Sequence, residues 1–224
     1  MPNYGLVEGY WADGKYKFRK VEPDDWNAVV EHVKTHFLHD EPTSKLLGYS
    51  DEYGNEIGEI VKKMLVDDLS FLVEETDTKK VVAVRITYRH TPLTNFDDIP
   101  INSHQSKVLL RVVEVTERMA ALFERFDLDE YAEFFMASCA PDHRRQGITS
   151  EMYARNMKFL AAEGFKLAKS VFTSPYTRAA VAKLGFKEVC RLDYHDLYDE
   201  TGKLAFDPEE LTSEHYAAIM VKEI

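Results

Sequence analysis

Cysteine is scarce: Cys139 and Cys190 are the two in 224 residues. They could form one disulfide, but two cysteines make no framework for a chain this long. Asn-x-Ser/Thr acceptors are absent. Cations are outnumbered, with 28 Lys and Arg against 39 Asp and Glu, a formal net charge of −11. So acidic a chain repels phosphate backbones, and nucleic acid is not an expected partner. No apolar run approaches the roughly 20 residues that span a bilayer, so no membrane partner is expected. Met1-Pro2-Asn3-Tyr4 lacks the basic-then-apolar layout of a signal peptide. Repeats, low-complexity tracts and Pro/Gly/Ser linkers are also missing. The expectation is one soluble, reduced, cytoplasmic, monomeric domain over residues 1–224.

What is present is an ordinary apolar fraction of 45%, enough for a sizeable core. Tyr16 to Val21 reads as a short strand. Glu22-Pro23-Asp24-Asp25 opens a helix, with proline and acids in its first turn. Trp26, Val29, Val30, Val33 and Phe37 recur at helical spacing, and the helix runs out near His39-Asp40-Glu41-Pro42. Ile57 to Leu69 is a second helical pattern. Ser70 to Glu75 and Val81 to Arg89 form a hairpin around Asp77-Thr78. A polar stretch from Thr91 to Ser106 reads as a loop. Val108, Val112, Val115, Met119, Leu122 and Phe126 mark one long helix. Tyr131 to Cys139 is an apolar strand. Ile148 to Ala161 is a helix ended by Gly164, Leu167 to Phe172 a strand, and Tyr176 to Leu184 a short helix. Phe186 to Tyr198 and Ala217 to Val221 are the last strands, an expected antiparallel pair. Strand, crossover helix and strand recur, so the fold class is α/β with part of the sheet parallel.

The chemistry concentrates between the strand at Tyr131 and the helix at Ile148. Pro141 to Gly147 is a basic turn that feeds a helix N-terminus. The first N–H groups of a helix lack partners and lie at the positive end of its dipole. Gly147 permits close approach of a ligand to the backbone. Arg144 and Arg145 add charge. This composition suits a pyrophosphate; a solvated basic turn with a capped helix is the alternative.

Arg144-Arg145-Gln146-Gly147-Ile148-Thr149 resembles the acetyl-CoA signature of the GCN5-related N-acetyltransferases, Arg/Gln-x-x-Gly-x-Gly/Ala, with Thr149 at the last position. Ser174 to Phe186 resembles that family's later Asn-x-x-Ala…Tyr-x-Lys-Leu-Gly-Phe element. The resemblance implies a mixed sheet of about seven strands, flanked by helices, whose fourth and fifth strands splay apart. It implies acetyl-CoA as co-substrate, with Met136, Ala137 and Ser138 along the pantetheine. The turn from Arg144 through Arg145, Gln146, Gly147, Ile148 and Thr149 to Ser150 would hold the pyrophosphate.

Phe37-Leu38-His39-Asp40-Glu41-Pro42 resembles the Asp-Glu-Pro element of the insect-type arylalkylamine N-acetyltransferases. That resemblance makes Glu41 a general base acting through water, with hydroxyls at Thr173, Ser174 and Thr177 completing the site. It implies direct attack of a small amine of the dopamine, tyramine, tryptamine or serotonin class on the thioester. The residues from Thr43 to Asp67 would border the amine pocket. The tyrosine that many of these enzymes use as general acid is replaced by Val181, leaving Thr173, Ser174, Tyr176 and Thr177 as candidate hydroxyls. A non-aromatic amine or peptide acceptor, and a non-catalytic CoA-binding module, remain alternatives.

Other features read as structural. His32, His36 and Asp40 share one helical face at i, i+4 and i+8, a solvated face rather than a metal site, and no metal is expected. Cys139 reads as a buried, inert thiol. Phe134, Phe135, Tyr88, Tyr194 and Tyr198 are assigned mostly to the core, with one or two lining an amine pocket. Asp24-Asp25, Asp67-Asp68 and Glu209-Glu210 read as solvated.

Overall fold

The computed structural model describes residues 7–199 and 201–224. Met1-Pro2-Asn3-Tyr4, read above for a leader, lie outside the described residues. A single eight-stranded sheet has the order β1-β2-β3-β4-β5-β6-β8-β7. The strands are β1 (Gly9–Trp11), β2 (Tyr16–Lys20), β3 (Phe71–Glu75), β4 (Val81–His90), β5 (Tyr131–Cys139), β6 (Leu167–Phe172), β7 (Lys187–Asp193) and β8 (Tyr216–Glu223). Seven of these follow the expected strands; β1 is too short to carry a periodic signal. All pairings are antiparallel except β5 with β6. The parallel pair is the one joined through a crossover helix, as right-handed connections require.

The helices are α1 (Trp26–His32), α2 (Leu38–Asp40), α3 (Pro42–Leu47), α4 (Asp51–Leu65), α5 (His104–Ala120), α6 (Leu122–Phe126), α7 (Ile148–Ala162) and α8 (Pro175–Lys183). One face of the sheet carries α1 and α4, whose Val29, Ile57, Ile60, Val61 and Met64 pack on Leu72, Val84 and Ile86. On the other face Tyr153, Phe159 and Leu160 of α7 pack with Phe71, Phe134 and Phe186. Each such side chain contributes about 1.5–3 kcal/mol on burial. Among the described residues no helix is long and apolar enough to cross a membrane.

Three differences from the periodicity matter. First, a π-helical turn at Val33–Phe37 sits between α1 and α2. His32, His36 and Asp40 still lie together, with the His32 and His36 rings 4.7 Å apart, but not as one solvated face. His32 is buried instead, and burial with the nearby His36 lowers its pKa to about 4. Second, Pro42, read as a helix stop, is also the first residue of α3, and the next helix starts at Asp51 rather than Ile57. Most of the segment from Thr43 to Asp67 therefore packs as α4 in the core, and only its start borders the cavity. Third, the long helix breaks at Ala121, which adopts left-handed φ 45° between α5 and α6.

The central feature is the parting of β5 from β6. They pair only at Ala132↔Ala168 and Glu133↔Lys169. Beyond that rung β5 stays on β4, while β6 pairs with β8 along Leu167–Phe172. The splayed pair is thus the expected fourth and fifth strands. At the vertex Ser170 Oγ donates to the Phe134 carbonyl at 2.5 Å. Register shifts between Ile86 and Thr87, making Phe135 an extra residue on β5. Such bulges re-aim side chains next to sites.

Candidate functional site

A cavity of about 740 Å³ fills the β5/β6 cleft. One wall is the turn before α7. Arg144 and Thr149 line the cavity, as do Met136, Ala137 and Ser138 of β5. Gly147 is the N-cap of α7 at φ 84°, and the amides of Ile148, Thr149 and Ser150 have no intrahelical acceptor. Arg145 is exposed, also with positive φ. Gln146 instead serves the turn: its Oε1 accepts from Tyr16 at 2.8 Å, and its Nε2 donates to the Asp142 carbonyl. The Ile148 side chain is in the core with Tyr16 and Phe18, leaving only its backbone for a ligand. Arg144 donates to the Cys139 carbonyl at 2.9 Å and pairs with Asp40. That hydrogen bond holds the Asp40 carboxyl below its usual range. Asp40 thereby ties α2 to the basic turn.

The wide mouth of the cleft holds Glu41. It is the N-cap of α3, and its two oxygens accept four hydrogen bonds. Oε1 receives Thr43 N at 3.0 Å and Thr173 Oγ1 at 2.5 Å; Oε2 receives Ser44 N at 2.7 Å and Ser44 Oγ at 2.9 Å. Four donors fill the acceptor capacity of a carboxylate. Ser44 Oγ also meets Tyr53 Oη at 2.8 Å, so a chain of hydroxyls runs Tyr53–Ser44–Glu41–Thr173. Thr173 comes from the end of β6, 132 positions away in sequence.

The three expected hydroxyls differ. Thr173 touches Glu41, whereas Ser174 caps α8 by accepting Thr177 N at 3.4 Å. Thr177 lines the cavity without a bond to Glu41, and exposed Tyr176 lines it too. Val181 is buried and can donate no proton. The His39 ring lies tilted against Tyr49, centroids 4.5 Å apart, and does not line the cavity.

Several assignments change. Cys139 is half-buried and lines the cavity rather than being fully enclosed, and burial raises its thiol pKa. Both cysteines are free. Phe135 lines the cavity, Phe134, Tyr88 and Tyr194 are core, and Tyr198 is 51% exposed. Asp25 is paired with Arg19 and Asp68 with Lys20, so neither is simply solvated. Glu210 reaches the cavity.

Sequence reading missed the polar groups at the vertex. Arg85 and Glu133 line the cavity and are almost wholly enclosed. Glu133 faces Lys169 Nζ at 2.6 Å, and Lys169 also bonds Glu117 at 2.9 Å. Burial pushes the Glu133 carboxyl up to about 8 against the pull of Lys169. His90, Glu117 and Glu133 cluster closely enough to ligate an ion, but the Lys169 ammonium already contacts both carboxylates. Their sequence signal was weak: single charges inside strands, with no spacing motif. Ser44 and His215, also on the cavity side, carried none.

No family model matches the chain. Solved structures do. Arylalkylamine N-acetyltransferase 2 from Aedes aegypti is 21% identical, with TM-score 0.78 over 93% of this chain and 99% of that one. A mosquito arylalkylamine N-acetyltransferase like 5b gives 0.81 at 18% identity, over 93% and 100%. The Drosophila melanogaster polyamine N-acetyltransferase, which forms N-acetylagmatine, gives 0.78 at 14% identity, over 93% and 100%. The chain has the fold of these proteins, the GCN5-related N-acetyltransferase fold.

Proposed function

We propose that the chain, as one domain over residues 1–224, is an acetyl-CoA-dependent N-acetyltransferase for small primary arylalkylamines. The observation that carries this reading is the Glu41–Thr173 contact at the mouth of a cleft whose other wall is the basic turn. The unpaired edge of β5 beyond the splay offers backbone groups to the amides of pantetheine. The free N–H groups before α7 suit the pyrophosphate.

An alkylamine with a pKa of about 10.4 is protonated at pH 7, and freeing it costs roughly 4–5 kcal/mol. Glu41 is the base in reach, but its acceptor positions are full. The Thr173 oxygen keeps acceptor capacity while its hydrogen points at Glu41. The amine proton therefore passes to Glu41 through Thr173, or through a water in its place. The neutral amine attacks the thioester carbonyl, a β5 amide N–H stabilises the oxyanion, and the thiolate leaves. With a pKa near 8.5, the thiolate leaves without a dedicated acid, which suits Val181 at the usual tyrosine position.

Phe37, Leu46, Leu109, Val112, Val113 and Phe135 form an apolar wall suited to an aromatic ring. A second reading, agmatine or a polyamine, draws on Glu210, a further carboxylate on the same cavity. A thiol-release assay with acetyl-CoA against tyramine, dopamine, tryptamine, agmatine and spermidine decides. Turnover on the aromatic amines is the expected result. CoA binding with no turnover on any amine would leave a non-catalytic module.

A further inference from the structure

Arg85 is 2% exposed, a guanidinium at the floor of the cleft. Its Cζ lies over the Phe134 ring at 3.8 Å and over the Tyr153 ring at 4.0 Å, two rings set edge to face with each other. Among the described residues Nε and Nη2 have no hydrogen-bond partner and no carboxylate forms an ion pair with it; the Tyr153 hydroxyl is also unpartnered. Glu133 is nearby but lies against Lys169. Burial lowers the Arg85 pKa against the pull of Tyr153 and Glu133, and a guanidinium enclosed with donors unfilled suits an acceptor brought from outside.

Its position says which part of a substrate would supply that acceptor. Phe134, which Arg85 stacks on, marks the vertex: its carbonyl takes the Ser170 hydroxyl one residue past the last β5–β6 rung. A thioester arm entering from the basic turn along β5 would carry its acyl tail toward the vertex. An acetyl group has no second polar end to offer the guanidinium. A tail ending in a carboxylate matches it in charge and in its two-pronged geometry.

We propose that the vertex is an acyl-tail site read by Arg85, so that, beside the acetyl donor, CoA thioesters of short dicarboxylic acids, three to five carbons long, bind in preference to neutral acyl-CoAs of the same length. This rests on the acyltransferase reading above and names a further donor class. Glu133 is held against the Lys169 ammonium, which offsets the repulsion a second carboxylate would otherwise meet there. A cationic tail such as β-alanyl would face Arg85 unfavourably. The chemistry is ordinary acyl exchange: the amine nitrogen bonds the acyl carbon and the carbon–sulfur bond breaks. The amine proton goes to Glu41, CoA leaves as thiolate, and the tail carboxylate is unchanged.

The test is calorimetric titration of the full chain with CoA, butyryl-CoA, succinyl-CoA and β-alanyl-CoA, followed by turnover of each acyl donor with tyramine. Succinyl-CoA should bind about tenfold or more tighter than butyryl-CoA, with β-alanyl-CoA the weakest. Arg85→Met should bring the succinyl-to-butyryl ratio to one or below. Equal affinity for the two donors on the unaltered protein overturns the proposal without needing the variant. So does an Arg85→Met variant that loses CoA itself as strongly as succinyl-CoA, which would assign the guanidinium to the pantetheine. Succinyl preference in binding with no turnover of any donor retires the acyltransferase reading while upholding the tail site. Absence of CoA binding retires both.

Discussion

Two carboxylates stand at opposite ends of one cleft, and they are held in opposite ways. Glu41 at the mouth is half-exposed and accepts four hydrogen bonds from neutral donors. Glu133 at the vertex is 1% exposed, and its nearest partner is one ammonium. Hydrogen-bond donors support a charge that must also be reachable by a substrate. An enclosed ion pair fixes the strand pairing at the point where the sheet divides, at the cost of desolvating both ions. The same side chain thus sits among neutral donors at one end and in an ion pair at the other.

The vertex should be the more fragile end. Lys169→Met leaves Glu133 and Glu117 without their cation, and should destabilise the fold by about 3–5 kcal/mol in urea unfolding. Lys169→Met combined with Glu133→Gln should recover part of that loss. No loss in the single variant would mean that water already reaches the pair.

Titration sharpens the comparison next. His90 beside Glu117, and His32 under the π-turn, are both lowered to about 4, mainly by burial. The unfolded chain then binds protons that the fold refuses. The resulting stability is full above pH 6.5 and drains as pH falls through 4, by about 3 kcal/mol per histidine at most. Glu133, raised to about 8, has the opposite sign: its contribution is present below its ordinary pKa and is lost as pH rises through 8. Urea midpoints across this range should fall on both sides, and His32→Gln should flatten only the acid limb.

At the mouth the larger effects are on rate. Glu41→Gln should lower turnover at pH 7 by about 10²-fold and recover partly at high pH, where the amine is already neutral. A pH–rate profile of unchanged shape would remove Glu41 as the base. Gly147→Val meets both a positive φ and the Trp11 ring, 3.3 Å from an added Cβ. It should cost about 1–2 kcal/mol of stability and weaken CoA binding on the order of tenfold. Ser174→Ala removes the α8 cap, a loss of about 1 kcal/mol read by urea unfolding.

Legibility followed the range of the interaction. The strands at Tyr131–Cys139 and Leu167–Phe172 matched their apolar runs residue for residue. Pro42 misled in one respect, because proline both ends one helix and begins another. The π-turn was unreadable, since it inserts one residue into a pattern whose apolar positions still look helical.

The sequence by itself determined seven of the eight strands in order, the basic turn with its glycine, and the carboxylate before Pro42, because each rests on local periodicity or on neighbouring residues. The tertiary structure alone decided that Thr173 and not Ser174 meets Glu41. It also decided that β5 and β6 part after one pair of rungs, and that Arg85 is enclosed with two nitrogens unpaired among the described residues. Those outcomes depend on groups 36 to 132 positions apart along the chain. Local spacing holds no record of such contacts; packing creates them only when the sheet closes.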